Sequence, residues 1–263
     1  MHATFRVERT RDREHAVNAA LAAADSGEIP VVVSGDGLIG AVGGALAGGS
    51  TPLGLIPCGR GNDLARVLGI PTEPSAAAEL LLSGQRRRID VGEANGVPFL
   101  CIASTGFDAS ANQIANEARL IRGPLVYVYA ALRALAAWKP AKFRIKAGGE
   151  QWSVTGYSVI VANSQAYGGG MFVAPEARLD DGELDLVTIA QVGKLRFLAN
   201  LPKVFKGEHL ANEEVQLSRA RTVEVRASRP MRVYADGEYI TDLPATLRVR
   251  PAALELICPP AGP

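Results

Sequence analysis

Cysteine is scarce in these 263 residues: Cys58, Cys101 and Cys258 are widely spaced and form no CxxC pair. That argues against a disulfide framework or a thiolate zinc ribbon and fits free thiols in a reducing compartment. Histidine is equally rare. With only His2, His15 and His209, a three-histidine zinc site is not expected, and a serine triad would depend on one of them. Charge of one sign is not in excess either, with 28 Lys plus Arg against 27 Asp plus Glu. No bulk positive field is present to attract nucleic acid, so any anion or membrane site must be local. Long apolar runs are missing as well. The best, GPLVYVYAALRALAAW at 123–138, is interrupted by Arg133 and falls short of the ~20 residues that span a bilayer. The start, MHATFRVERTRDREH, lacks the apolar region of a secretory signal. The expectation is a soluble, cytoplasmic protein. What is present, 48% hydrophobic and 21% charged residues, is ordinary globular composition for one large or two modest domains.

The first ~90 residues read as alternating strands and helices, the pattern of a parallel sheet covered by helices. FRVERT alternates sides like a strand, and residues 11–25 form an Ala-rich helix ended by Gly27. IPVVVS is a buried strand, SGDG a turn, LIGAVGGALAG a Gly-loosened helix, TPLGLIP a second buried strand and PCGRGND a second turn. Helices are predicted at 62–68 and 74–83. From about residue 88 two-residue turn signals multiply: Asn95-Gly96, Gly148-Gly149, Asp181-Gly182 and Asp236-Gly237. These predict an antiparallel β region with helical inserts near 109–138 and 193–206. Residues 1–90 and 91–250 are thus two domains, with 251–263 available as a last strand returning to the first.

Residues 35–40, Gly-Asp-Gly-Leu-Ile-Gly, follow a strand and open a helix, matching the dinucleotide fingerprint G-x-G-x-x-G. The ribose-binding acid expected ~20 residues on is missing, because the next strand ends Leu55-Ile56-Pro57-Cys58-Gly59. The acid instead sits inside the turn as Asp36, where it would repel a bare pyrophosphate. It becomes useful if Mg²⁺ bridges it to phosphate, which points to a nucleoside triphosphate site; a tight turn needing two glycines is the alternative. The second turn, Pro57 to Asp63, would leave the parallel sheet at the same carboxyl edge and complete the cradle. Asn62 or Asp63 can also cap the following helix, whose N-terminus favours phosphate. An EF-hand at 177–188 is rejected, since its first ligand positions would be Ala177 and Leu179. The run Tyr167-Gly168-Gly169-Gly170 permits close backbone approach to a strand or a ligand.

These segments resemble the diacylglycerol kinase catalytic family of lipid kinases and, more distantly, sphingosine and ceramide kinases. VVVSGDGLIGAV is similar to the family's GGDGT nucleotide loop, and PLGLIPCGRGNDLARVLGIP to its PLGTGNDFARxLGIP segment. VIVANSQAYGGGMFVAPEARLDDGELDLVTI and VYADGEYI resemble its YGGG–DDG run and its DGE strand. The resemblance implies a Rossmann-like α/β nucleotide-binding domain of the NAD-kinase and diacylglycerol-kinase type followed by a β-rich sandwich domain. It also implies ATP-dependent phosphorylation of a lipid hydroxyl between them.

By that correspondence Ser34, Gly35, Asp36, Gly37, Leu38, Ile39 and Gly40, with Arg60, Gly61, Asn62 and Asp63, bind nucleotide. Asp36 positions Mg-ATP, Asp181 holds a supporting metal with backbone oxygens of Arg178 and Glu183, and Glu238 is the general base. Three departures stand out. The family's first strand and Asn-Pro phosphate loop have no counterpart ahead of residue 30, Leu38 replaces Thr, and Arg60 stands where Thr is common; an Arg there can bind phosphate bidentately. A lipid substrate requires peripheral contact with the inner membrane surface, for which Lys194 to Lys206 and Arg86 to Arg88 are basic candidates. Solvated faces are the plain alternative for both clusters. A homodimer is compatible with this reading, and a lipid-binding or regulatory protein on the kinase fold is the rival function.

Overall fold

The computed structural model describes residues 4–118 and 125–260; His2 and the start of the apolar run at 123–138 lie outside them. The first helix, α1 (Arg13–Asp25), is capped by Asp12, whose side chain accepts the His15 N–H at 2.8 Å. Its buried residues, Ala16, Ala20 and Ala23, recur at helical spacing, and Gly27 follows with φ 75°. Strands β1 (Val31–Ser34) and β2 (Gly54–Pro57) pair in parallel, with Ser34 opposite Pro57. Between them runs α2 (Asp36–Leu46), and after β2 come α3 (Asp63–Val67) and α4 (Pro74–Ser83). Glu73 caps α4 and Pro74 occupies its first turn, where a missing N–H costs nothing.

The strand predicted at FRVERT does not form. Residues 4–10 are exposed and pair with no strand, so their alternation has no face to bury. The turn predicted at SGDG is also shorter than expected, because α2 begins at Asp36 itself and only Gly35 stands outside it.

The rest of the chain builds an antiparallel assembly. Its elements are β3 (Gln85–Ala94), β4 (Val97–Phe99), β5 (Ile102–Gly106), α5 (Phe107–Glu117), α6 (Leu125–Ala137), β6 (Ala141–Ala147), β7 (Glu150–Ala162) and β8 (Leu184–Ala190). There follow α7 (Lys194–Asn200), two 3₁₀ segments (Leu201–Lys206 and Glu208–Ala211), β9 (Val215–Ala220), β10 (Thr222–Ala227), β11 (Arg232–Ala235), β12 (Glu238–Asp242) and β13 (Ala245–Cys258). The strand order is β12-β11-β5-β7-β6-β10-β13-β3-β4, with β8 and β9 extending from β7. Three of the four predicted turns close hairpins, Asn95-Gly96, Gly148-Gly149 and Asp236-Gly237, each with positive φ at both residues. Asp181-Gly182 does not close one. It ends the long segment 163–183 that joins the paired strands β7 and β8.

One apolar core crosses both parts of the chain: Val32, Ile39 and Leu55 pack with Ile89, Ile160 and Leu254. The terminal strand β13 lies along β3, and its Leu256 bridges to Leu53 beside β2. A second core, with Phe143, Val159, Val223 and Leu247, fills the antiparallel assembly.

Candidate functional site

Parallel pairing of β1 and β2 brings both Gly-rich segments out at one edge, where the Cys58 N–H donates to Ser34 O at 2.8 Å. Immediately beyond, backbone meets backbone. A β-carbon on Gly35 would lie 2.9 Å from the Gly59 Cα, so each position excludes a side chain on sterics alone. Asn62 then turns the chain in a left-handed conformation, and its Oδ1 accepts the Gly59 N–H at 2.7 Å. It does not cap α3. Neither does Asp63, which is buried and reaches across to the glycine run, accepting the Gly169 and Gly170 N–H groups at 3.0 Å each.

Asp36 stands between these loops. Its Oδ1 accepts the Leu64 N–H at 3.4 Å, so the amides at the start of α3 face a carboxylate of the protein itself. Burial, and then the neighbouring charge of Asp63, raise its pKa above the ordinary aspartate value against the pull of those amides. Gly61 is enclosed by the two acids: a β-carbon there would lie 2.8 Å from Asp63 Oδ2 and 3.1 Å from Asp36 Oδ2.

The glycines of α2 have a different purpose from a dinucleotide fingerprint. Gly37, Gly40, Gly43 and Gly44 recur at helical spacing and face, in turn, Glu238, Asp236, Leu100 and Pro98. This stripe lets the second part of the chain lie directly on the helix backbone. Asp236 is held there by the Leu100, Cys101 and Ile102 N–H groups at 2.7, 3.0 and 3.1 Å. Its burial nevertheless pushes its pKa up to about 6, with the charge of Asp36 acting in the same direction. Two residues on, Glu238 Oε1 would be 3.3 Å from a β-carbon on Gly37, and Glu238 Oε2 pairs with Arg13 at 3.4 Å. Both partners of this pair are half exposed.

Of the other expected nucleotide contacts, Ser34 ends β1, and Leu38 packs partly buried against the core, which explains an apolar side chain there. Ile39 is buried in the core, and Gly40 lies beneath Asp236. Arg60 is exposed. A divalent cation fits this site best through Asp36. Both oxygens of Asp63 and of Asp236 accept backbone N–H groups, whereas of the Asp36 oxygens Oδ1 accepts the Leu64 N–H and Oδ2 lies beside Gly61. One carboxylate with phosphate oxygens and water is a sufficient set for Mg²⁺. At the second expected metal position Asp181 Oδ1 accepts the Glu183 N–H at 3.0 Å, and the Arg178 side chain turns to Asp180. Among the described residues no three His, Cys, Asp or Glu side chains converge on one point, so this loop is not a closed carboxylate cage.

The order of these segments along one α/β-then-β chain agrees with two family models. The diacylglycerol kinase catalytic domain matches residues 1–94, and the YegS C-terminal NAD kinase beta sandwich-like domain matches residues 101–258. This chain belongs to the diacylglycerol kinase family. A diacylglycerol kinase of Mycobacterium tuberculosis is 36% identical over 258 residues, covering 95% of this chain and 82% of that protein. A protein of Pseudomonas aeruginosa described as a probable lipid kinase YegS-like is 32% identical, covering 89% of this chain and 77% of that protein. A solved diacylglycerol kinase from Bacillus anthracis has a TM-score of 0.74 at 21% identity, covering 96% of this chain and 84% of that one, a likeness of fold.

Within this family member, three acids escape a reading by motif, the fully buried Asp90 and the part-buried Asp108 and Asp236. Asp90 accepts the Gly182 and Ala252 N–H groups, both at 2.7 Å, and so fixes the Asp181 loop to β3 and β13. Asp108, in the first turn of α5, has a buried Oδ2 without a partner, and burial raises its pKa to about 6 against hydrogen bonds with Ser158 and Tyr167. Asp236 reads as an ordinary turn residue. The available signal was a charged residue flanked by apolar neighbours, as in Ile89-Asp90-Val91 and Phe107-Asp108-Ala109.

Proposed function

We propose that the protein is an ATP-dependent lipid kinase that transfers the γ-phosphoryl group to the hydroxyl of a diacylglycerol-like lipid at the cytoplasmic surface of a membrane. The observation that carries this reading is the meeting at Gly37, where Asp36 at the start of α2 and Glu238 of β12, 202 residues later, flank one backbone position (238 − 36).

The division of labour follows from the two environments. Asp36, part-buried and with one oxygen uncommitted, suits the metal-bearing phosphates; bound Mg²⁺ would supply neutralisation of their charge. Glu238, half exposed at the same mouth, suits a substrate arriving from solvent or membrane. Its carboxylate accepts the proton of the lipid hydroxyl as the new O–P bond forms. The bond from the γ-phosphorus to the bridging oxygen breaks in line, and its electron pair leaves with ADP. Asp63 acts at one remove by holding Gly169 and Gly170 beside the phosphate loops.

The test is phosphoryl transfer from labelled ATP to a panel of hydroxyl-bearing lipids in mixed micelles, with Mg²⁺ and with chelator. Metal-dependent labelling of a diacylglycerol supports the proposal. Nucleotide-independent lipid binding with no labelling of any lipid overturns it in favour of a non-catalytic lipid-binding protein.

A further inference from the structure

The mouth of the candidate site holds one charged contact that the proposed reaction does not use. Arg13, the first residue of α1, pairs its Nη2 with Glu238 Oε2 at 3.4 Å. The other carboxylate oxygen, Oε1, lies against Gly37 in the first turn of α2, next to Asp36. A cation from one part of the chain is therefore bound to the candidate base from the other, at the end of α2 that faces the phosphate loops.

As a structural link this pair is weak. Its side chains are 49% and 52% exposed, and an exposed ion pair gains little against water and salt. The backbone beneath Glu238 is fixed by other means: Gly237 O accepts an Asn116 Nδ2–H at 2.8 Å, and Asp236 is held by three amides. The backbone beneath Arg13 is fixed as well, by the Asp12 cap of α1. Only the two side chains are left to move. While they are paired, a guanidinium N–H occupies Oε2, one of the two oxygens that could take the hydroxyl proton. A triphosphate is the stronger partner for Arg13, because it carries several negative charges against one and presents oxygens that a planar guanidinium grips bidentately.

We propose that Arg13 is a latch on the base: during the cycle its guanidinium exchanges partners, from the Glu238 carboxylate to the phosphates of Mg-ATP beside Asp36, and so frees the carboxylate for the lipid hydroxyl only once the phosphoryl donor is seated. The exchange rests on the nucleotide assignment of the Asp36 loop, and its consequence for catalysis rests on Glu238 as the base.

The test is calorimetric titration of Mg-ATP into the full chain through a double-variant cycle, which reads binding without turnover. Arg13→Gln should weaken Mg-ATP binding by roughly tenfold, the loss of a charge-assisted contact to phosphate. Glu238→Gln should tighten it by roughly threefold, because Arg13 no longer has to leave a partner. In the double variant that tightening should vanish. Both positions are half exposed, so the variants should melt at the wild-type temperature; Arg13→Met, which keeps an aliphatic stem, replaces Arg13→Gln in the cycle if that variant does not fold. Unchanged affinity in Arg13→Gln, or no tightening in Glu238→Gln, overturns the latch. Tightening of equal size with and without Arg13 is a charge effect of Glu238 alone and overturns it too. A wild type that binds no Mg-ATP overturns the latch together with the kinase reading. Full coupling alongside wild-type turnover in Glu238→Gln supports the exchange of partners and overturns Glu238 as the base.

Discussion

The carboxylate of Asp63 and the amide of Gly170 meet at 3.0 Å, although 107 residues separate them. The neighbouring Gly169 N–H reaches the same carboxylate, so one acid of the second Gly-rich loop secures the glycine run of the other part of the chain. Asp63→Ala should leave two part-buried amides unsatisfied and cost about 1–3 kcal/mol of stability. Denaturant unfolding measures this, and an unchanged midpoint would show that the two loops are not coupled.

Asp36→Asn should preserve the fold and remove most Mg-ATP binding, since helix and turn survive while the metal-directed charge is lost. Calorimetric titration with Mg-ATP checks this. Because the pKa of Asp36 is raised, protons compete with the metal as pH falls, and wild-type affinity should decline on acidification. The Asn variant should lack that contribution.

Glu238→Gln keeps shape and hydrogen-bonding reach but abolishes the basic charge. Mg-ATP binding should persist while turnover falls by ~10²- to 10⁴-fold. Steady-state rates at saturating lipid decide this, and wild-type turnover would move the proton acceptor elsewhere, with Asp36 next in line.

Asp108 makes stability depend on pH in a definite direction. Its folded pKa of about 6 lies above the unfolded aspartate value of ~3.9, so between them the native state holds more protons. Its contribution therefore becomes destabilising as pH rises through that window and is complete above it. Asp108→Asn should melt above wild type at pH 8, with the difference closing near pH 4. Melting curves at the two pH values are the measurement, and a difference that grows on acidification would contradict the raised folded pKa of Asp108.

Gly59→Ala should destabilise strongly, because a β-carbon there strikes the Gly35 backbone rather than a movable side-chain tip. A cost of about 1–3 kcal/mol is expected, against little change for Gly193→Ala, where a β-carbon meets nothing within 4 Å. Equal stability of the two variants would show that the loops are not in contact.

Local chemistry by itself determined the elements closest to the site. Period and breakers specify β1, α2 and β2, and Asn-Gly, Gly-Gly and Asp-Gly pairs specify three hairpins, because these depend on neighbours only a few residues away. The family was legible for a similar reason, since its motifs are short and their order is preserved. Tertiary structure alone decided which glycine or acid served which end. G-x-G-x-x-G became a packing stripe because Asp236 and Glu238 arrive from the far side of the chain, and Asp63 became a tether instead of a cap because Gly169 and Gly170 come within reach. FRVERT alternates like a strand, yet no strand pairs with it, and alternation without a partner buries nothing. Asp236 shows the limit most clearly. Its hairpin follows from Asp-Gly, but its raised pKa follows from desolvation and the charge of Asp36, against the pull of the amides at 100–102, and no local pattern encodes those approaches.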